Sequence, residues 1–89
     1  MAKRGKLEVI RDILRIIKEN KNSIKPTPLL RKSNLSSERF QEYFSELLKK
    51  CFVKEEIGRN GSIISLTEKG FKFLERYKVI IDFIEEFEL

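Results

Sequence analysis

Gly58-Arg59-Asn60-Gly61 separates two short stretches in which apolar and polar residues alternate, Val53 to Ile57 and Ser62 to Leu66. Asn-Gly between alternating segments is the strongest short-range signal for a β-hairpin, because both residues tolerate the left-handed backbone of a tight turn. A plain type I′ turn is expected there. Most of the rest of the chain, apart from the aperiodic basic residues 1–5, shows helical periodicity.

From Lys6 to about Glu19, Leu7, Ile10, Ile13, Leu14 and Ile17 recur at helical spacing with charged residues between them. Asn20-Lys21-Asn22-Ser23 stops that helix. Ile24 and Lys25 form at most a very short strand. Pro26 and Pro28 suit a first helical turn, which predicts a short helix from about Thr27 to Lys32 with Leu29 and Leu30 inward. Ser33-Asn34-Leu35 reads as a tight turn, and Ser36 as the cap of the next helix, where Glu38 complements the helix dipole. Phe40, Tyr43, Phe44, Leu47 and Leu48 share one stripe of that helix, which ends near Lys49-Lys50. Thr67 caps a last helix that runs to Leu89.

Two helices across a tight turn make a helix-turn-helix, and a hairpin after the second makes the winged form. The fold class is therefore α+β: mostly α with one small hairpin, a winged helix-turn-helix with an extended, coiled-coil-like C-terminal helix. The organisation reads as a basic arm at 1–5, the winged domain at 6–70 and a dimerisation helix at 71–89.

With 89 residues there is room for a single domain. A composition of 40% hydrophobic and 37% charged residues is globular. The chain has no His, no Trp and one Cys, which removes imidazole catalysis, a His or multi-Cys metal site and a disulfide framework. No carboxylate accompanies a plausible nucleophile or a Gly-rich phosphate loop, so neither an enzyme nor a cofactor or metal is expected. Cys51, between Lys50 and Phe52, reads as a buried, inert thiol. One thiol and no signal peptide point to the cytoplasm, and no apolar run is long enough to span a bilayer.

Charge is segregated. Residues 1–32 carry ten Lys or Arg against three acids, a net +7, whereas residues 79–89 carry four acids and no base. The basic front suits a polyanion such as a phosphate backbone, although a merely solvated basic surface gives the same count. In a helix-turn-helix the start of the second helix enters the major groove. That places Ser37, Arg39, Gln41 and Glu42 nearest the bases, with Ser45 outward on the same helix. Arg pairs with guanine and Gln with adenine, and a carboxylate accepts from cytosine. Ser36 and Ser37 suit phosphate contacts. Glu38 and Glu42 repel phosphates, so affinity has to come from Arg31 and Lys32 at the turn, from Lys3, Arg4 and Lys6 in the arm, and from Arg59 and Asn60 at the hairpin tip. This set implies double-stranded DNA as the partner and a nucleoid-associated location. The two acidic residues also fit a protein-interaction module. No small-molecule effector is evident.

The last helix carries more apolar surface than one domain needs. Phe73, Tyr77, Ile80, Ile84 and Phe87 follow 4-3-4-3 spacing, a coiled-coil-like seam. Phe71, Leu74 and Ile81 lie beside it and are expected to face the chain's own core. Two neighbouring apolar faces imply a second chain, hence a homodimer, the alternative being a monomer with the helix folded back fully. The shortness of the seam favours an antiparallel pair over a parallel one, which the sequence leaves open.

Several stretches resemble the small archaeal winged-helix DNA-binding proteins that end in a dimerising helix. They are Lys6-Leu7-Glu8-Val9-Ile10-Arg11-Asp12-Ile13-Leu14 in the first helix, Asn34-Leu35-Ser36 at the turn, Tyr43-Phe44 with Leu47-Leu48, and Leu66-Thr67-Glu68-Lys69-Gly70 at the last junction. The resemblance covers residues 6–78 and implies a transcription regulator or a chromatin component. Many such relatives place Gly just after the recognition helix. This chain has Cys51 there, so Lys50 or Cys51 must take a costlier conformation or the helix must end differently.

Overall fold

Val9, Ile10, Ile13, Leu14 and Ile17 make one stripe of helix α1 (Lys6–Glu19) and are all buried. The remaining elements close over that stripe in a computed structural model that describes residues 5–89. After α1 the backbone turns through two left-handed residues, Lys21 (φ 59°) and Asn22 (φ 56°). Asn22 Oδ1 accepts from the Leu66 N–H at 2.7 Å, which ties this turn to the hairpin. Ile24 exchanges backbone hydrogen bonds with Ile64 at 3.1 and 2.8 Å, so the expected short strand is a single antiparallel bridge.

Helix α2 (Pro26–Ser33) starts on Pro26, whose missing N–H costs nothing at that position, and ends at Asn34 in the left-handed conformation (φ 59°). Leu35 and Ser36 complete the turn. In helix α3 (Ser37–Lys49), Phe40, Phe44 and Leu47 are buried, and Tyr43 and Leu48 pack half-buried against the same core. The stripe read from the sequence is the stripe that is covered.

Strands β1 (Val53–Gly58) and β2 (Gly61–Leu66) pair antiparallel, from Val53 opposite Leu66 to Gly58 opposite Gly61. The turn is not the expected type I′, which needs positive φ at both central residues. Arg59 and Asn60 keep negative φ, and Gly61 (φ 100°) carries the left-handed step. Only the base of the hairpin is covered: Val53, Ile64 and Leu66 are buried, while Ile57 is 85% exposed.

Helix α4 (Glu68–Glu86) begins at a junction that explains the Leu66–Gly70 motif. Thr67 Oγ1 accepts from the Gly70 N–H at 3.2 Å and donates to the carbonyls of Cys51 and Phe52. Lys69 Nζ donates to the Lys50 carbonyl at 2.8 Å and lies 4.6 Å from the centre of the Phe52 ring. Gly70 is buried against the same loop, and a Cβ there would lie 2.3 Å from the Phe52 carbonyl oxygen. Cys51 itself is exposed, not buried as expected from its neighbours. It takes the left-handed step after α3 (φ 63°), and that step turns its side chain to solvent.

Two substitutions test this junction with opposite signs. Gly70→Ala should destabilise by about 1–3 kcal/mol, because the clash with a backbone oxygen outweighs alanine's better helix propensity. Cys51→Gly should stabilise by about 1 kcal/mol, since glycine enters the left-handed region without the Cβ penalty and no buried contact is lost. Urea unfolding of both variants measures this. A Gly70→Ala protein as stable as the wild type would contradict the close approach.

Candidate nucleic-acid interface

The outer face of α3 follows from its inner one. With Phe40, Phe44 and Leu47 inward, Ser37, Glu38, Arg39, Gln41, Glu42, Ser45 and Lys49 are all exposed. Ser36 is committed at the helix start, where its Oγ accepts from the Arg39 N–H at 3.2 Å. The Arg39 guanidinium lies over the ring of Tyr43 at 5.9 Å, one turn along. Tyr43 counts as part of the apolar stripe by periodicity, and its spacing of four from Arg39 is what brings the two side chains together. Lys6, Arg39, Glu42, Tyr43 and Glu46 line a shallow hollow of about 200 Å³ beside this face.

Lys6 is not an arm residue. It opens α1, and its Nζ donates to Glu46 Oε1 on α3 at 3.0 Å, while Lys50 reaches the same oxygen at 3.1 Å. Lys6 first and Lys50 second hold the Glu46 carboxyl below its ordinary value. This exposed cluster fixes the orientation of Lys6 more than it adds stability. Arg31 is exposed near the end of α2, and Lys32 Nζ donates to Asn20 Oδ1 at 3.2 Å. Arg59 and Asn60 are exposed at the hairpin tip. Lys3 and Arg4 lie outside the described residues. The structure thus gathers Lys6 and Arg39 at one hollow and keeps the turn and the hairpin tip as separate basic points.

On α4 the apolar seam is divided. Phe73 is half-buried on its own chain, edge-on to Phe52 with ring centroids 5.5 Å apart, and Tyr77 lies 6.0 Å from Phe73 and 5.1 Å beneath the Arg11 guanidinium. Leu74 packs on the core as expected, but Phe71 points outward. The contact of Gly70 with the Phe52 carbonyl sets the rotation of α4 and explains the difference. The surface left without cover is Val79, Ile80, Phe83 and Phe87, each more than half exposed.

Three helices around a tight turn, followed by a hairpin and a further helix, agree with a family comparison in which residues 3–85 match the winged helix-turn-helix. The chain belongs to that family. Solved structures show the same fold. Sso10a-2, a DNA-binding protein from Sulfolobus solfataricus, superposes with a TM-score of 0.77 at 22% identity, over 96% of this chain and 86% of its own. F93 from STIV, a winged-helix DNA-binding protein, gives 0.75 at 20% identity over 89% and 91%. F-93 from SSV1 gives 0.72 at 26% identity over 99% and 95%. No curated protein sequence matches the chain.

In winged helix-turn-helix terms, α2 and α3 are the helix-turn-helix, α3 is the recognition helix and the β1–β2 hairpin is the wing. Among the described residues no helix is long and apolar enough to cross a membrane, and no group of three His, Cys, Asp or Glu could hold a metal ion. The cap of the recognition helix is directly testable. Ser36→Ala should cost about 1 kcal/mol in urea unfolding, and Ser36→Asp should retain most of the stability. Equal losses in both variants would mean that the hydroxyl does something other than cap.

Proposed function

We propose that this winged helix-turn-helix protein binds double-stranded DNA as a homodimer and regulates transcription. The observation that carries the reading is the exposed, capped start of α3, which presents Ser37, Arg39, Gln41 and Glu42 from the position that enters a major groove. Its fold is shared with Sso10a-2 and STIV F93, both DNA-binding proteins. Arg39 and Gln41 read bases, with Glu42 and Ser45 beside them. Ser36, Ser37, Arg31, Lys32 and Lys6 meet phosphates, and Lys3 and Arg4 extend the basic arm of residues 1–5. Arg59 and Asn60 reach the backbone or the minor groove from the wing. The winged domain spans 6–70, the chain is not an enzyme, and it works in the cytoplasm on the nucleoid.

The dimer forms through residues 71–89. Ile80, Phe83, Ile84 and Phe87 supply the contact, with Phe73 and Tyr77 bracing the helix against its own domain. Lys69, Lys72 and Arg76 outnumber Glu68 and Glu75 on the first half of α4, and Asp82, Glu85, Glu86 and Glu88 outnumber Lys78 on or just beyond its second half. An antiparallel pair sets opposite charges together, whereas a parallel pair crowds the acids. A protein-interaction role is the second reading, favoured by the exposed Glu38 and Glu42 on α3.

DNA titrations at several salt concentrations decide between them. Affinity for duplex DNA should fall steeply with salt, with a log-log slope of about 0.9 per phosphate contacted. Arg39→Ala should shift sequence preference by about 1–3 kcal/mol at one or two base pairs, and Arg59→Ala should weaken all duplexes alike. Uniform weakening by Arg39→Ala would turn the reading toward a non-specific chromatin protein. Absence of binding to any duplex at about 50 mM salt would leave the interaction role.

The dimer has its own test. Phe83→Lys places an unpaired cation in the proposed interface, so light scattering should show a monomer that remains folded, because Phe73, Leu74 and Tyr77 still hold α4 to its domain. A wild type that is monomeric at high concentration ends the dimer claim.

A further inference from the structure

A second basic surface lies outside the proposed DNA interface. Between α1 and α4 is a cleft of about 350 Å³ whose lining shares no residue with the α3 face, the turn or the wing tip. Arg11, Arg15 and Lys18 enter it from α1 and Lys78 from α4. Its apolar lining is Leu74, Tyr77 and Ile81, three residues of one α4 face. Asp82 is the only carboxylate among the described lining residues.

The four cations are unevenly compensated. Arg11 Nε donates to Asp12 at 2.8 Å and its guanidinium stacks over Tyr77. Arg15 lies 3.9 Å from the same carboxylate, at the outer limit of an ion pair. Lys18 and Lys78 have no ion pair or hydrogen bond among the described residues, and neither has the Tyr77 hydroxyl. Like charges gathered around an apolar, aromatic floor repel one another, and a bound anion relieves that repulsion. The floor in turn rewards an anion that carries a flat apolar body, which can pack on Leu74 and Ile81 beside Tyr77, whose ring already lies beneath the Arg11 guanidinium, while its charge meets the cations.

We propose that the α1–α4 cleft is a binding site for a small organic anion with a planar apolar body, an aromatic carboxylate being the simplest member. The volume lies in the range of small-molecule sites and is too small to admit a duplex. The site also sits where α4 leans on the winged domain. Beyond the Gly70 junction, α4 is held to that domain through Phe52 and α1, so an occupant of the cleft acts on the angle between α4 and the domain. In the dimer proposed above that angle sets the spacing of the two recognition helices, and this coupling, unlike the binding itself, rests on the DNA-binding reading.

The experiment is an NMR titration of the full chain with sodium benzoate at constant ionic strength, with acetate and benzyl alcohol as probes of the charge alone and the body alone. Benzoate should give saturable shifts confined to residues 11–18 and 74–82, with a Kd on the order of 1 mM. Acetate and benzyl alcohol should bind at least about tenfold more weakly. The double variant Arg15→Ala/Lys78→Ala should lose benzoate binding by about tenfold with an unchanged unfolding midpoint, while Lys49→Ala/Lys72→Ala, outside the cleft, should retain it. Equal response to acetate, or shifts spread over every basic side chain, overturns the site. So do cleft shifts that track protein concentration without ligand, since the occupant is then a second copy. Saturating benzoate should alter DNA affinity by about threefold or more, and an unchanged affinity overturns the coupling. A protein that binds no DNA at all refutes the earlier reading, and the NMR result still decides the site.

Discussion

One backbone oxygen organises this protein. The Phe52 carbonyl accepts the Thr67 N–H at 3.1 Å and the Thr67 hydroxyl at 3.1 Å, and it bars any Cβ at Gly70. A carbonyl enclosed in this way has to be paired, and here a threonine supplies both donors. The contact joins the short loop between α3 and β1 to the first turn of α4, whose cap Thr67 lies 15 residues after Phe52. The left-handed step at Cys51 delivers the oxygen to that place, and the absence of a side chain at Gly70 lets the helix come close enough. The rotation of α4 follows. Phe73, Leu74 and Tyr77 are turned toward the domain, and Val79, Ile80, Phe83 and Phe87 are left outside.

That rotation separates the molecule into surfaces with different chemistry. The α3 face is mixed in charge, with Arg39 and Gln41 between Glu38 and Glu42, while Arg31, Lys32 and Arg59 are exposed at the turn and the wing tip. The outer side of α4 is apolar toward its acidic end. The α1–α4 cleft is basic over an aromatic floor. Base reading, self-association and anion binding would thus draw on three sets of residues with little overlap, coupled through the angle at which α4 leaves the domain.

The order and extent of the elements were legible because each has a strong local signature. Helix α1 begins at Lys6 and ends at Glu19 as its apolar spacing predicts, and α3 carries its buried stripe on Phe40, Phe44 and Leu47. Ser36 and Thr67 cap the helices they precede. The hairpin was legible in place but not in turn type. Asn-Gly signals that a left-handed residue is needed, and the strands decide which residue supplies it; here it is Gly61 alone. The exposure of Cys51 was not legible for a related reason. Its neighbours in sequence are Lys50 and Phe52, but its exposure depends on a backbone step that sends its side chain the other way.

For the site, residue types and spacing were enough to nominate the α3 face, the turn and the wing tip, since a helix that buries one stripe must present the opposite one. They also showed that α4 has surplus apolar surface. Which residues make up that surplus was beyond them: a 4-3-4-3 series counts Phe73 and Tyr77 equally with Ile80 and Phe87, and only the docking of Gly70 on the Phe52 carbonyl separates the pair covered by its own domain from those left exposed. The pairing of Lys6 with Glu46 and the meeting of Arg11, Arg15 and Lys18 with Lys78 likewise join residues 40 to 67 positions apart. Local periodicity extends over a few turns of helix, so contacts at such separations arise only when the packed elements bring them together.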